Sequence, residues 1–133
     1  MSTLTKHPER LGVAKLGPGA DLPKWVSSAT LMSITATAAE TSIVCTYSVI
    51  PKKAKPEGPF SPYEVEGPLD FALTGILSAL LVPLAEAEVS VFTLSTFDTD
   101  WILVPTSKES AAEEAWRRSG HTVQTADQTG NQE

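Results

Sequence analysis

The chain has 133 residues, 41% apolar and 20% charged, a balance that supports a buried core and argues against wholesale disorder. That length fits one ordinary domain or two very small halves sharing a core. The formal net charge of −6 argues against a nucleic-acid binder and an anionic membrane surface, and a single cysteine, Cys45, excludes an internal disulfide and paired-cysteine zinc spacing.

Residues 1–9 are polar, carry no apolar signal core and read as loose. Residues 11–16 alternate weakly as a first strand, closed by Gly17, Pro18 and Gly19. Residues 21–26 are predicted as one helical turn, with Asp21 as N-cap and Pro23 in the first turn. Residues 31–37 and 41–50 are rich in β-branched side chains and read as a hairpin, with Cys45 a small buried apolar residue. Residues 51–62 hold Pro51, Pro56, Pro59 and Pro62 with three lysines, and read as a linker whose lysines are solvated.

The second half is more strongly patterned. Residues 63–66 alternate as a strand that ends at Gly67 and Pro68. Leu73, Ile76, Leu77, Leu80, Leu81 and Leu84 then share one helix face, with Pro83 expected to bend the last turn. Residues 89–96 read as a strand, 97–100 as a turn and 101–104 as a buried strand stopped by Pro105. Ser107 is the expected N-cap of a second helix, with Glu109 in its first turn. Ala111, Ala112, Ala115 and Trp116 form the face of that helix, Arg117 and Arg118 its C-terminal end, and Gly120 its cap. Residues 122–125 suit a last short strand.

The predicted class is therefore α+β. The second half has the strand-helix-strand-strand-helix-strand order of a ferredoxin-like βαββαβ unit. The first half reads as the same unit in degenerate form. The expected organisation is an N-terminal unit over 9–58, a C-terminal unit over 59–125 and a disordered tail over 126–133. The apolar stretch 69–84 contains Asp70 and Pro83 and is shorter than the ~20 residues that span a bilayer, so a cytoplasmic setting is expected.

Asp98 and Asp100 read as turn-capping residues, ligand contacts or an acid–base pair, and Asp70 as a helix cap or a ligand contact. Ser95 and Thr96 are strand-end hydroxyls, Phe97 belongs to the core or to a lid, and Trp101 and Trp116 are core or interface anchors. Trp25 is expected to brace the first unit. Neither His7 nor His121 has neighbours suited to a metal, and no phosphate loop or nucleophile elbow is present. No catalytic residue, metal ligand or cofactor is nominated. Thr74 and Gly75 open a helix, where free backbone N–H groups favour a carboxylate, and Gly75 permits close approach.

Residues 66–77, then Pro83, Leu84 and Ala85, then the S-T-F-x-x-D segment Ser95–Asp100 with the Trp101-Ile102-Leu103-Val104 run resemble ACT-domain proteins related to the CASTOR arginine sensors. That group includes short proteins of two ACT units. The likeness is strongest over 63–105 and weaker over 11–50. It implies a regulatory protein without catalysis, with an amino acid or similar metabolite bound where two ACT units pack side by side. One unit would supply Asp70, Phe71, Leu73, Thr74, Gly75, Thr96, Phe97 and Asp100, and the neighbouring unit Ser90 and Val91. With one intact unit per chain, the pair implies a homodimer whose ligand-dependent change is read by a regulated protein partner. The chain departs from the family at Ala36, where an arginine is usual, and at Leu73, where the sensors carry an acidic residue. A guanidinium beside Leu73 would lack its counter-charge, so arginine specificity is not implied. A ligand-independent interaction module and a small ferredoxin-like enzyme are the alternatives.

Overall fold

The computed structural model describes residues 1–66 and 75–126. It divides into two compact units, one made of Glu9–Phe60 and the other of Met1–Pro8 with Ser61–Glu133. The former is thus an insertion, in sequence, within the latter.

In the inserted unit, β2 (Leu11–Leu16) pairs antiparallel with β4 (Thr41–Thr46), which pairs antiparallel with β3 (Ser33–Ala36). Alternation puts Ile43 and Cys45 on one face of β4, where they meet Ala14 and Ile50 in a small core. Trp25 and Val26 pack against that core, as the expected bracing role of Trp25 requires. The expected hairpin is present, and Thr37 closes it: its Oγ1 accepts the amides of Ala39 and Glu40, each at 3.1 Å. The single turn expected over 21–26 is present at residues 23–26, where the Val26 amide reaches the Pro23 carbonyl at 3.3 Å. Pro23 cannot donate and so contributes only as the acceptor of that turn.

Residues 51–62 are not an unstructured linker. Lys52–Ala54 form a 3-10 turn, and β5 (Glu57–Val65) begins before Pro59. Prolines mask this strand in the sequence, yet they need only lend carbonyls: that of Pro62 accepts the His7 amide at 3.0 Å.

Glu9 organises the loop between β2 and β3. Its carboxylate accepts the hydroxyls of Thr46 at 2.6 Å and Ser28 at 2.8 Å, and the Thr30 amide at 3.0 Å. Burial works against ionising this carboxyl, but the hydrogen bonds from Thr46, Ser28, Thr30 and Ala29 outweigh it and hold it below the usual range. The buried Cys45 thiol is pushed up, chiefly by desolvation.

In the other unit the strand order is β6-β7-β5-β1-β8, with β6 (Phe92–Ser95), β7 (Asp100–Pro105), β1 (Thr3–Lys6) and β8 (Thr122–Thr125). The expected ferredoxin-like sequence of elements is present, with α1 (Ile76–Glu86) and α2 (Glu109–Arg118) as its helices. The expectation that residues 1–9 are loose is corrected by β1, which lies antiparallel to β5 and parallel to β8. It is polar except for Leu4, which is wholly buried, and one inward side chain leaves no pattern to read.

The core of this unit gathers Leu4, Tyr63, Val65, Leu80, Leu84, Ile102, Val104 and the α2 residues Ala112, Ala115 and Trp116. Ala111, expected on the same face, is exposed. Tyr63 and Trp116 meet edge to face at 5.0 Å. Ser107 does not cap α2: residues Thr106–Lys108 form a 3-10 turn and the helix begins at Glu109 without a side-chain cap. Ser61 fixes this start from below, bonding Thr106 at 3.1 Å and donating to Glu109. Beside it Lys6 bridges Glu109 at 3.4 Å and Glu113 at 3.2 Å, and the Tyr63 hydroxyl donates to Glu113 at 2.6 Å.

Candidate functional site

The site is built where β5 ends and α1 begins. The Glu66 amide donates to the Thr3 carbonyl at 2.8 Å, which ties the end of β5 to β1. Gly75 precedes α1 with φ 81°, a left-handed conformation that glycine adopts at no steric cost, and no side chain among the described residues caps the helix. Its carbonyl accepts the Ala79 amide at 2.9 Å, opening the helical ladder. A hollow of about 380 Å3 lies among Ser2, Thr3, Glu66, Gly75, Ile76 and His121. That volume falls in the range of small-ligand pockets, which begins at about 300 Å3. Both the N-terminal end of α1, where a helix favours negative charge, and the Glu66 carboxylate border this hollow.

The bend between β6 and β7 reaches the same strand end. The Thr96 amide donates to the Thr99 carbonyl at 2.8 Å, and the Thr99 amide to the Thr96 hydroxyl oxygen at 3.2 Å. Thr96 and Thr99 therefore close the turn between them. The Asp100 carboxylate accepts the Ser95 hydroxyl across the β6–β7 pair. The Thr99 hydroxyl donates to the Val65 carbonyl, which pins the bend to β5 one residue before Glu66. Phe97 is 81% exposed, which corrects the core alternative for it.

Of the residues expected at the site, Gly75 lines the hollow, and Thr96, Phe97 and Asp100 stand in the bend pinned to the end of β5. Ser90 and Val91 are not brought to it: they lie at the opposite end of β6 from the bend, Ser90 exposed and Val91 packed against the core. Asp70, Phe71, Leu73 and Thr74 lie outside the described residues. Ser2, Thr3, Glu66 and His121 were not foreseen. Only the remote pairing of β1 with β5 and β8 brings the first two there, and no local motif announces it. His121 carried a weak signal, as the residue after the glycine that ends α2. Among the described residues no group of three or more His, Cys, Asp or Glu side chains is placed to hold a metal, and no helix is long and apolar enough to cross a membrane.

Residues 58–118 match the family model of the ACT domain. Residues 9–53 match a second model, described as an N-terminal domain. Among solved structures, protein Atu0741 of Agrobacterium tumefaciens is 29% identical, with a TM-score of 0.87 over 95% of this chain and 94% of its own. Protein VC0802 of Vibrio cholerae, of unknown function and described as a possible transport protein, is 16% identical, with a TM-score of 0.70 over 89% of each chain. The regulatory subunit of aspartate kinase from Thermus flavus is 7% identical, with a TM-score of 0.59 over 87% of this chain and 95% of its own. At such identity the last two show a shared fold alone. A search of curated proteins returns no match.

Proposed function

We propose that this protein is a non-catalytic regulatory module that binds an amino acid or similar zwitterionic metabolite at the start of α1. The observation that carries the reading is the Thr99–Val65 hydrogen bond. It holds the aspartate-bearing bend at the end of the strand that leads to the glycine-started helix, within the span matched to the ACT domain. The ligand carboxylate takes the first-turn amides of α1, its ammonium faces Glu66 or Asp100, and Phe97 covers its aliphatic part. Asp70, Phe71, Leu73 and Thr74, which fall in sequence between β5 and α1, belong to the proposed set of ligand contacts. Ser90 and Val91 come from a second protomer, so that the working form is a homodimer of ACT units acting on a regulated protein partner in the cytoplasm. The inserted unit is a degenerate copy of the same fold. The likeness to a regulatory subunit of aspartate kinase supports a regulatory role.

β6 pairs with β7 alone among the described strands, which leaves one edge open for a second subunit. The same observation favours a second reading, a dimerisation module indifferent to small molecules. Thermal unfolding of the full chain with each proteinogenic amino acid separates them. The sensing reading expects one or a few to raise the melting temperature, since a ligand at a hundredfold excess over its Kd stabilises by about 2.7 kcal/mol. Asp100→Asn should reduce that rise. No shift with any of them at millimolar concentration, with the dimer intact, would assign the module reading instead.

A further inference from the structure

The end of α2 aims one side chain at two other elements. Gly120 turns the chain with φ 91°, and the amides of Gly120 and His121 return to the carbonyls of Arg117 and Trp116, each at 3.0 Å. The His121 ring, on a residue only 8% exposed, then lies between the N-terminal strand and α1. Its Nδ1 is 3.2 Å from the Ser2 amide nitrogen, and its Nε2 is 3.3 Å from the Ala79 carbonyl oxygen. A backbone amide can only donate, so Nδ1 acts as acceptor and carries no proton. The neutral ring therefore holds its one hydrogen on Nε2, directed at Ala79.

Ala79 is where α1 needs it. An α-helical carbonyl is satisfied by the amide four residues on, and four residues on stands Pro83, which has no hydrogen to give. The next carbonyl, that of Leu80, also receives a side-chain donor, the Trp116 Nε1–H at 2.8 Å. We infer that His121 supplies the hydrogen bond that Pro83 withholds from α1, and with its other nitrogen straps the N-terminal strand beside the hollow. One tautomer of one ring thus couples the wall of the hollow to its helix. His121 is a positioning residue: it acts through Ser2 and Ala79, both of which line the hollow. The strap is independent of whether that hollow takes a ligand.

The test uses the full chain. Imidazole nitrogen NMR should show His121 as the neutral Nε2–H tautomer, and a proton on Nδ1 would overturn the inference. Hydrogen exchange is read at the Glu66 and Ala126 amides, which bond the Thr3 and Lys6 carbonyls at 2.8 Å each. His121→Leu should speed both by roughly tenfold or more, because a lost bond with a buried partner left unpaired loosens the strand. His121→Gln keeps one donor and one acceptor and should restore protection; exchange as fast as in the leucine variant would count against the donor–acceptor roles. Pro83→Ala gives α1 its own donor, so in that background His121→Leu should lower the melting temperature by clearly less than it does beside Pro83. Equal losses in the two backgrounds, or unchanged exchange, would sink the proposal.

Discussion

Glu9 is a surface-edge carboxylate turned into a structural pin by four donors. Its folded pKa lies below that of the unfolded chain, about 4.3, so the stability it contributes is present above that value and is lost as pH falls through the folded one. Glu9→Gln should cost roughly 1–2 kcal/mol at pH 7, discounted for its partial exposure. Urea unfolding of both proteins should show the gap closing as the pH drops through the carboxylate range. A constant gap would mean that charge contributes nothing. Cys45 offers a complementary check. Buried, with its thiol pushed up, it should resist a thiol reagent in the native state and react at the rate of global opening. Rapid labelling without unfolding would contradict its place in the core. Both local assignments could be read from residue type only for Cys45, whose apolar neighbours announce burial. Glu9 could not, because its partners lie at residues 28, 29, 30 and 46.

At the scale of elements, β1 is four residues with one fully buried side chain. Leu4→Ala should cost about 2–5 kcal/mol, the range for truncating a core leucine, when measured by chemical denaturation. A cost below about 0.5 kcal/mol would return residues 1–9 to the loose segment that their composition suggests. Gly75 presents a different kind of cost. Among the described residues, no atom beyond Gly75 and its chain neighbours lies within 4 Å of where a Cβ would sit, yet φ is +81°. Gly75→Ala should therefore lose roughly 1 kcal/mol to backbone strain without a steric clash. A clean stabilisation instead would show that α1 starts in another conformation. The periodic leucines of α1 and the Gly120 stop of α2 were legible in the sequence, because each depends on neighbours within one or two turns. The start of α2 was not, since Ser107 is a sound cap by type but Ser61, far upstream, holds Thr106 and Glu109.

At the scale of the whole molecule the open question is assembly. If two C-terminal units complete one site, sedimentation should show a dimer whose dissociation is suppressed by whichever amino acid raises the melting temperature. A monomer that still binds that amino acid would remove the partner's Ser90 and Val91 from the site and leave the hollow beside Glu66 and Gly75 as the sole binding place.

Local periodicity and composition by themselves determined the α+β class, the strand-helix-strand-strand-helix-strand order of the second half and, one residue late, the bend read at 97–100, because hydrophobic repeat and turn chemistry act over a few residues. Resemblance added the ACT likeness and a set of site residues. Tertiary structure alone decided that Met1–Pro8 joins the unit beginning at Ser61, that Ser2, Thr3 and His121 border the hollow, and that a proline in one helix is answered by a histidine 38 positions later. Hydrogen-bonding groups left unmet within one element are satisfied by whatever the fold brings beside them, and a linear pattern carries no record of that neighbour.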